Sequence, residues 1–474
     1  MKTLKILLII TVIPFCSLFS SLLFESSFER MWQQDLLTEL GEEAKELPIF
    51  NLEFACNKSD FVNEIKEFCE YPIYSYYFRN LSIICIFIAL FLILYIEITS
   101  FYSQKNRNFL IRSFKLGAYL CLFSISILVL FYGISIVLIL YYIESELFGI
   151  IHFYILGLIG VGAFVVSLNL IKSSFNLLKP IQININAVSI TERDDNFVYK
   201  ILLELSKQIN STLPENIFIG VEPMFFVTES NVISNDKNVF DSKSLYISSP
   251  ILRFLNINEF KGILAHELAH FSGEDTKFAK DFFPIYHGMF DSLQNSIVEV
   301  EGGIESISMF PLFSLLNYFF NSYSESIAII SRSRELRADR IASEYVGNDV
   351  YGSALVKVYA YTELWDEMYL VLIEDIKNGV EIDNIEEYFL DFISNSDKIN
   401  EMMLNIDKYN ISHPIDSHPN LIERFKNLNL NLEAIISKID LKSKKNDISK
   451  FIKIDENIND FTNVEIERIK YFNI

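Results

Sequence analysis

Residues 265–275 of the chain read Ala-His-Glu-Leu-Ala-His-Phe-Ser-Gly-Glu-Asp. On a helix, His266 and His270 would stand one turn apart on the same face, so both imidazoles could reach one metal ion. Glu267 would then lie beside the metal, where a carboxylate can take a proton from a water without becoming a ligand. The stretch therefore predicts a metal site with a base next to it.

The residues before this stretch favour a helix. Asn258-Glu259 is typical of a helix start, and apolar residues recur at helical spacing from Phe260 to Phe271. On the motif alone, the alternative is a surface helix that happens to carry two histidines. The apolar stripe favours the metal site over that alternative.

Two histidines and a water leave a catalytic zinc one protein ligand short. The best downstream candidates are Glu335 and Asp339, which are four residues apart and share a helix face. Glu335 could bind the metal, while Asp339 could fix one histidine through its other ring nitrogen. The alternative is an exposed ladder of salt bridges with the neighbouring arginines.

Three motifs occur in one order and spacing, and together they resemble the gluzincin family of the bacterial membrane protease HtpX and the type 1 CAAX prenyl protease. The resemblance covers roughly residues 183–428. The motifs are His266-Glu267-x-x-His270 with Asp275, Glu335-x-x-Ala338-Asp339, and Ser417-His418-Pro419 followed by Arg424.

The resemblance implies one zinc ion per chain, bound by His266, His270 and Glu335, with Glu267 as the catalytic base. It implies supporting roles for Asp339 and Asp275 behind the ligands. It also implies that His418 and Arg424 help to hold the substrate or the developing oxyanion. The expected fold class is α+β: four N-terminal transmembrane helices, then a mostly helical zinc-protease domain with a small β-sheet.

The composition predicts a membrane protein, since 51% of the 474 residues are hydrophobic. Residues 1–24 are predicted to form a first transmembrane helix or a signal anchor, and a cleaved signal peptide is the alternative. Residues 25–80 are predicted to form an extracytoplasmic loop, and residues 81–171 to hold transmembrane helices 2–4. The zinc metallopeptidase domain is expected over residues 172–435, and a polar C-terminal tail over residues 436–474.

The charges of the connecting segments predict the orientation in the membrane. Residues 99–115 carry Lys105, Arg107, Arg112 and Lys115 with no acid, which favours the cytoplasm for this loop. The fourth span then returns the chain to the cytoplasm, where the catalytic domain is expected. The resemblance favours the bacterial inner membrane. Cys56 and Cys69 lie in the segment predicted to be exported, and this indicates a disulfide.

The soluble part shows alternating apolar residues at Ile181, Ile183 and Ile185, a helical pattern over Phe197–Ile209, and short strands over Ile217–Val221, Phe225–Thr228 and Leu245–Ser248. The segment Ile341–Ile373 is predicted to be one continuous helix. The apolar run Ile307–Phe320 is too short for two spans, and one crossing would separate the predicted zinc ligands. We therefore expect it to be buried for most of its length, with membrane contact at Met309–Phe313.

These expectations favour an endopeptidase that hydrolyses peptide bonds of protein or peptide substrates at the cytoplasmic face of a lipid bilayer, with Zn²⁺ as cofactor. The strand nearest the zinc helix could bind an extended substrate at the sheet edge. A formal charge of −21 argues against nucleic acid as a partner. Two alternatives stay open: a non-enzymatic membrane receptor or scaffold with a structural metal site, and a prenyl-peptide protease.

Overall fold

The computed structural model describes residues 2–57, 66–144, 149–176, 182–190, 197–235, 238–273, 275–282, 305–395, 419–439, 448 and 458–473. The chain divides into two compact units. The first unit holds Met1–Ser103, Asn108–Leu178 and Ile285–Tyr323. The second unit holds Gln104–Arg107, Lys179–Pro284 and Ser324–Ile474.

The described residues of the first unit form helices joined by short non-helical segments, with no strand among them. Its helices are α1 (Lys2–Leu40), α2 (Leu52–Asn57), α3 (Lys66–Ser103), α4 (Arg107–Ile143) and α5 (Phe153–Asn176), with two 3-10 turns at Gly41–Glu46 and Pro48–Phe50. The first residue of α4, Arg107, belongs to the second unit. Four segments are long and apolar enough to cross a membrane: Thr3–Glu46, Ser75–Ser103, Arg107–Tyr141 and Phe153–Lys172. The chain is therefore an integral membrane protein, with four candidate spans at the expected places.

The segment predicted to be an extracytoplasmic loop, residues 25–80, is mostly helical in its described part, and its location stays a prediction. Helix α1 continues to Leu40, since Phe28, Trp32 and Leu36 extend its apolar stripe at helical spacing. Trp32 and Leu36 pack in a small cluster with the turns and α2, and Trp32 Nε1 donates to the Ile49 carbonyl at 2.8 Å. The expected disulfide between Cys56 and Cys69 is present.

The apolar run Ile307–Phe320 lies in α10 (Glu305–Val346), a helix that continues from the first unit into the second. Burial is confirmed at Leu315, Leu316, Phe319 and Phe320. The Phe319 ring packs on Phe114 of α4, with ring centroids 5.0 Å apart. The side chains at 309–313, where membrane contact was predicted, lie outside the described residues.

The second unit contains two small sheets. Their strands are β1 (Gln182–Asn184), β2 (Ala187–Ser189), β3 (Asn216–Gly220), β4 (Phe226–Thr228), β5 (Asn231–Ile233), β6 (Val239–Phe240) and β7 (Ser244–Ser248). One sheet has the order β1-β5-β6, and the other has the order β2-β3-β7-β4. Strands β3 and β7 are parallel, and Ile217 lies opposite Leu245. Strand β4 pairs antiparallel with β7 and forms an edge of its sheet.

The remaining helices of the second unit surround these sheets. They are α6 (Phe197–Gln208), α7 (Ser249–Leu252), α8 (Ile257–Ser272), α9 (275–282), α11 (Asn348–Lys377), α12 (Ile385–Asn395), α13 (Leu421–Asn427), α14 (Leu432–Ile436) and α15 (Ile458–Asn473). One apolar core joins α6, α8, α11 and the strands, with Leu264, Leu268, Ile219 and Leu364 fully or almost fully buried. The α+β fold class is confirmed.

Two helix boundaries differ from the sequence-based expectations. Helix α8 begins two residues earlier than Asn258-Glu259 suggested, because the Asn256 side chain accepts from the Asn258 and Glu259 backbone and Glu259 completes a capping box. The helix predicted over Ile341–Ile373 is broken at Gly347. Its φ of +90° lies in the left-handed region that favours glycine, and it separates α10 from α11.

The segment predicted to be a polar C-terminal tail, residues 436–474, contains a helix with a buried face where the structure describes it. Ile458, Phe461 and Ile469 of α15 are buried in the core of the second unit. Their spacing of three, then eight residues places them on one helix face, which composition alone did not reveal. Asn186 donates to the Phe461 carbonyl at 2.9 Å, so α15 is joined to the residues beside β2.

Candidate metal centre

Helix α8 holds the two histidines and the glutamate in the interior of the second unit. His266, Glu267 and His270 are each exposed by 8% or less. The helix is fixed at its start by the capping box of Asn256, and apolar side chains on both sides of the motif enter the core. The two imidazoles are therefore one turn apart on a rigid element, as predicted.

The second half of α10 brings Glu335 to the same place. His266 Nε2 lies 3.5 Å from Glu335 Oε2, and His270 Nε2 lies 3.6 Å from Glu335 Oε1. Two ligands that each lie about 2.0–2.1 Å from a tetrahedral zinc are roughly 3.3–3.4 Å apart. The donor set and its spacing thus fit zinc. Among the described residues, this is the one group of three or more metal-binding side chains.

Behind the site, two residues contact Nδ1 of His266. Asp339 Oδ1 lies 3.1 Å away, and the Tyr351 hydroxyl lies 2.8 Å away. The Tyr351 hydroxyl donates to Asp339 Oδ1 at 2.7 Å, so its oxygen is free to accept from the imidazole. The proton of His266 is therefore held at Nδ1, and the Nε2 lone pair points towards Glu335.

Tyr351 is a site residue that the sequence reasoning missed. It lies in the first turn of α11, and it is fully buried between His266 and Asp339. A tyrosine in an apolar helix gives no motif signal. Its position depends on the break at Gly347, which was not predicted.

His270 is held in the same manner by Asp275. Its Nδ1 lies 3.2 Å from Asp275 Oδ2. Burial alone would raise the pKa of Asp275, but the hydrogen bond from His270 and the charges of Arg334 and Arg337 hold this pKa below its usual value. Asp275 is therefore an anion that fixes the orientation of a candidate ligand.

Asp275 also binds Arg107, which sequence reasoning used for topology and did not place at the site. Arg107 Nη1 lies 2.9 Å from Asp275 Oδ1 and donates to the Gly273 carbonyl at 3.0 Å. Arg107 belongs to the short segment Gln104–Arg107, which is part of the second unit. The sequence distance of 168 residues hides this contact.

Arg424 was expected near the substrate or the oxyanion. In the structure its guanidinium forms two hydrogen bonds with Asp339, one of them from Nε to Oδ2 at 2.9 Å. Burial opposes ionisation of Asp339, but Arg424 and His266 hold its pKa well below the usual range. These contacts give Arg424 a role in supporting His266, and its role near the substrate stays a prediction. His418 lies outside the described residues, so its predicted role also stays a prediction.

Glu267 is buried beside the three candidate ligands. Burial raises the pKa of its carboxyl, while the neighbouring His266 and His270 lower it and Glu335 raises it. The net shift is upward. A raised pKa makes the carboxylate a stronger base towards a neighbouring water.

Residues 205–431 match the model of peptidase family M48. This region is similar to the M48 peptidases. It contains every predicted site residue from His266 to Arg424. Arg107, which contacts Asp275, lies outside the matched region.

The chain is also similar to bacterial proteins. It is 25% identical to Protease HtpX of Acinetobacter baumannii (strain AYE) over an alignment of 186 residues, which covers 37% of this chain and 59% of that protein. A Protease HtpX homolog of Polynucleobacter necessarius is 27% identical over 183 residues, or 38% of this chain and 60% of that protein. The chain therefore matches about three fifths of the length of these relatives.

Among solved structures, S. mikatae Ste24p aligns with 89% of this chain and 98% of that chain, at 16% identity and a TM-score of 0.27. A TM-score this low does not establish a common fold. The similarity to family M48 depends on the match over residues 205–431.

Proposed function

We propose that the protein is a membrane-bound zinc endopeptidase that hydrolyses peptide bonds of protein or peptide substrates at the cytoplasmic face. The observation that carries this proposal is the group of His266, His270 and Glu335, in which each histidine Nε2 lies 3.5–3.6 Å from a Glu335 carboxylate oxygen. Glu267 follows His266 in the same motif. Three protein ligands with an open fourth position are typical of hydrolytic zinc.

The three donors would hold the zinc ion, and the carboxylates of Asp339 and Asp275 would keep both imidazoles in the required tautomer. Zinc at such a site supplies Lewis acidity and lowers the pKa of a water to about 7. Burial of the ligands excludes bulk water and strengthens the local electrostatics.

In this proposal, Glu267 accepts the proton of the attacking water and returns it to the leaving amine. Its burial and raised pKa support the first step, because a more basic carboxylate takes a proton from water more readily. Glu267 is not one of the three residues that could hold the metal ion, so its carboxylate stays available for proton transfer.

The edge strand β4 supports binding of an extended substrate. Among the described residues, β4 pairs with β7 on one side only, with Phe226 opposite Tyr246. Strand β4 and helix α8 are in contact. A peptide that adds to this edge would gain backbone hydrogen bonds that do not depend on its sequence, as proteolysis of varied substrates requires.

The contact of Arg107 supports the cytoplasmic orientation. Arg107 belongs to residues 99–115, which carry four bases and no acid and include the junction of two candidate spans. The positive-inside rule favours the cytoplasm for this segment. Since Arg107 binds Asp275 within the second unit, the metal centre would share that side of the membrane.

The test uses the full-length protein in detergent or nanodiscs, with zinc content and cleavage of unfolded casein measured on the same samples. Glu267→Gln should keep one zinc per chain and lose cleavage by a factor of about 100–10,000, the usual contribution of a general base. Glu204→Gln, which removes an exposed carboxylate on α6, is the matched control and should behave as wild type.

The Glu267→Gln protein should also keep uncleaved substrates bound. Cross-linking followed by mass spectrometry would identify proteins that are bound to this variant and not to wild type. If Glu267→Gln cleaved casein at the wild-type rate, the base assignment would be wrong. If the zinc-loaded wild type cleaved no protein or peptide but hydrolysed prenylated peptides, the general endopeptidase assignment would give way to the prenyl-peptide one.

A further inference from the structure

We propose that a basic cavity behind His270 binds a phosphate-type anion, either the headgroup of an anionic lipid or free phosphate. This inference does not depend on proteolysis. The cavity has a volume of about 520 Å³, within the roughly 300–1,000 Å³ of small-molecule sites. Its polar lining consists of Gln104, Lys105, Arg107, Ser333, Arg334 and Arg337, together with Asp275.

The charges that line the cavity do not balance. Lys105, Arg107, Arg334 and Arg337 supply four cations, and Asp275 supplies one carboxylate. Three of these cations already converge on Asp275, with Arg107 at 2.9 Å, Arg334 at 3.2 Å and Arg337 at 2.7 Å. A single carboxylate cannot neutralise three guanidinium groups at these distances, so an added anion would be stabilised here.

Arg334 shows where the anion would gain hydrogen bonds. The Arg334 Nε atom is buried and has no hydrogen-bond partner among the described residues. It lies 3.2 Å from Asp275 Oδ1, but its N–H bond does not point at that oxygen. A buried N–H of a charged group without a partner is costly. The flat guanidinium groups of Arg107 and Arg334 match the oxygens of a phosphate group, and the Ser333 hydroxyl lines the same cavity.

The position of the cavity along the chain favours a phosphate-type ligand. Gln104 and Lys105 lie between the candidate spans that end at Ser103 and begin at Arg107. A connection of three residues between two spans must lie at the membrane surface, where lipid phosphates are concentrated and anionic lipids attract bases. The Lys105 side chain is exposed and lines the cavity. It forms no hydrogen bond or ion pair with the described residues, so its ammonium group is available to bind a phosphate.

The anion would act on the metal centre through Asp275. Arg107 and Arg337 both bind the carboxylate that holds His270 Nδ1. An anion that shares these guanidinium groups would lower their mutual repulsion and fix the segment from Gly273 to Asp275. We therefore expect an occupied cavity to stabilise the second unit and to hold His270 in its ligand orientation.

The experiment measures the unfolding midpoint of the full-length protein in nanodiscs of phosphatidylcholine. One arm adds inorganic phosphate, with sodium chloride at equal ionic strength as its reference. A second arm replaces a quarter of the phosphatidylcholine with phosphatidylglycerol. The midpoint of wild type should rise with ligand concentration in at least one arm, because a ligand that binds the folded state stabilises it by mass action.

Three variants test which residues cause the rise of the unfolding midpoint. Lys105→Gln should weaken apparent binding about tenfold, the loss expected for one charge-assisted hydrogen bond, without breaking any described contact. Arg107→Gln should abolish the shift and also lower the starting midpoint, because it removes an ion pair. Lys115→Gln, which removes a base from the same predicted loop but not from the cavity, should keep the wild-type shift.

A response to inorganic phosphate would identify a free anion as ligand. A response to phosphatidylglycerol alone, lost in Lys105→Gln and kept in Lys115→Gln, would identify a lipid headgroup. The proposal would be overturned if neither arm raised the wild-type midpoint. It would also be overturned if Lys105→Gln and Lys115→Gln gave the same response as wild type.

Discussion

Arg424 and Asp339 form a bidentate ion pair in the interior of the second unit, with Arg424 Nε 2.9 Å from Asp339 Oδ2. Asp339 has no exposed surface, and its other oxygen contacts Nδ1 of His266. The orientation of one candidate zinc ligand is therefore set by a residue of α13, far along the chain. Arg424, the last residue of the third sequence motif, therefore supports a candidate zinc ligand through Asp339.

Asp339→Asn is expected to weaken zinc binding by a factor of about 10–100, the usual effect of removing a carboxylate behind a ligand histidine. It also leaves Arg424 buried without its ion pair, which costs about 3–5 kcal/mol of stability. Zinc affinity by chelator competition and unfolding by denaturant measure the two effects. Asp349→Asn, an exposed ion-pair partner of Lys438, is the control and should change neither. Wild-type zinc affinity in Asp339→Asn would contradict its role behind His266.

Tyr351→Phe removes the hydroxyl that lies 2.8 Å from His266 Nδ1 and keeps the ring. We expect zinc affinity to fall about tenfold, because the imidazole loses one of the two groups that fix its tautomer. Tyr388→Phe removes a comparable hydrogen bond to Asp375, remote from the metal, and should leave zinc affinity unchanged. Equal zinc affinities in the two variants would show that Tyr351 only packs.

Phe461→Ala tests whether α15 belongs to the core. Phe461 has no exposed surface, so its truncation should lower the stability of the second unit by about 3–5 kcal/mol. Tyr471→Ala on the same helix is the control, because Tyr471 is 83% exposed and its truncation should cost less than about 0.5 kcal/mol. If both variants unfolded together with wild type, the helix would be a solvated tail after all.

The Cys56–Cys69 disulfide is expected to resist thiol labelling of intact cells until a reductant is added. Replacing both cysteines with serine should lower the stability of the region formed by the 3-10 turns and α2 by about 3 kcal/mol, since the bridge closes a loop of 13 residues. Cys16→Ser is the control, because this cysteine is free. Immediate labelling of Cys56 without reductant would contradict the disulfide and its predicted export.

The sequence predicted those parts of the protein whose chemistry is local. Two histidines one turn apart and long apolar runs are local patterns, and the structure places both histidines beside the carboxylates of Glu335 and Asp339. The contacts of Tyr351 and Arg107 were not predictable, because neither residue type is rare and each reaches the site through tertiary packing. Helix α15 was missed because its few apolar residues are diluted by charged ones.

The core position of α15 also bears on how the protein is made. Synthesis proceeds from the N-terminus, and domains fold as units once their residues are available. Glu335 and both histidines leave the ribosome well before Phe461 and Ile469, which complete the interior around α8 and α11. The metal-binding side chains therefore exist in the nascent chain before there is a finished interior to align them. During translation, the second unit therefore lacks part of its apolar core until α15 has been synthesised.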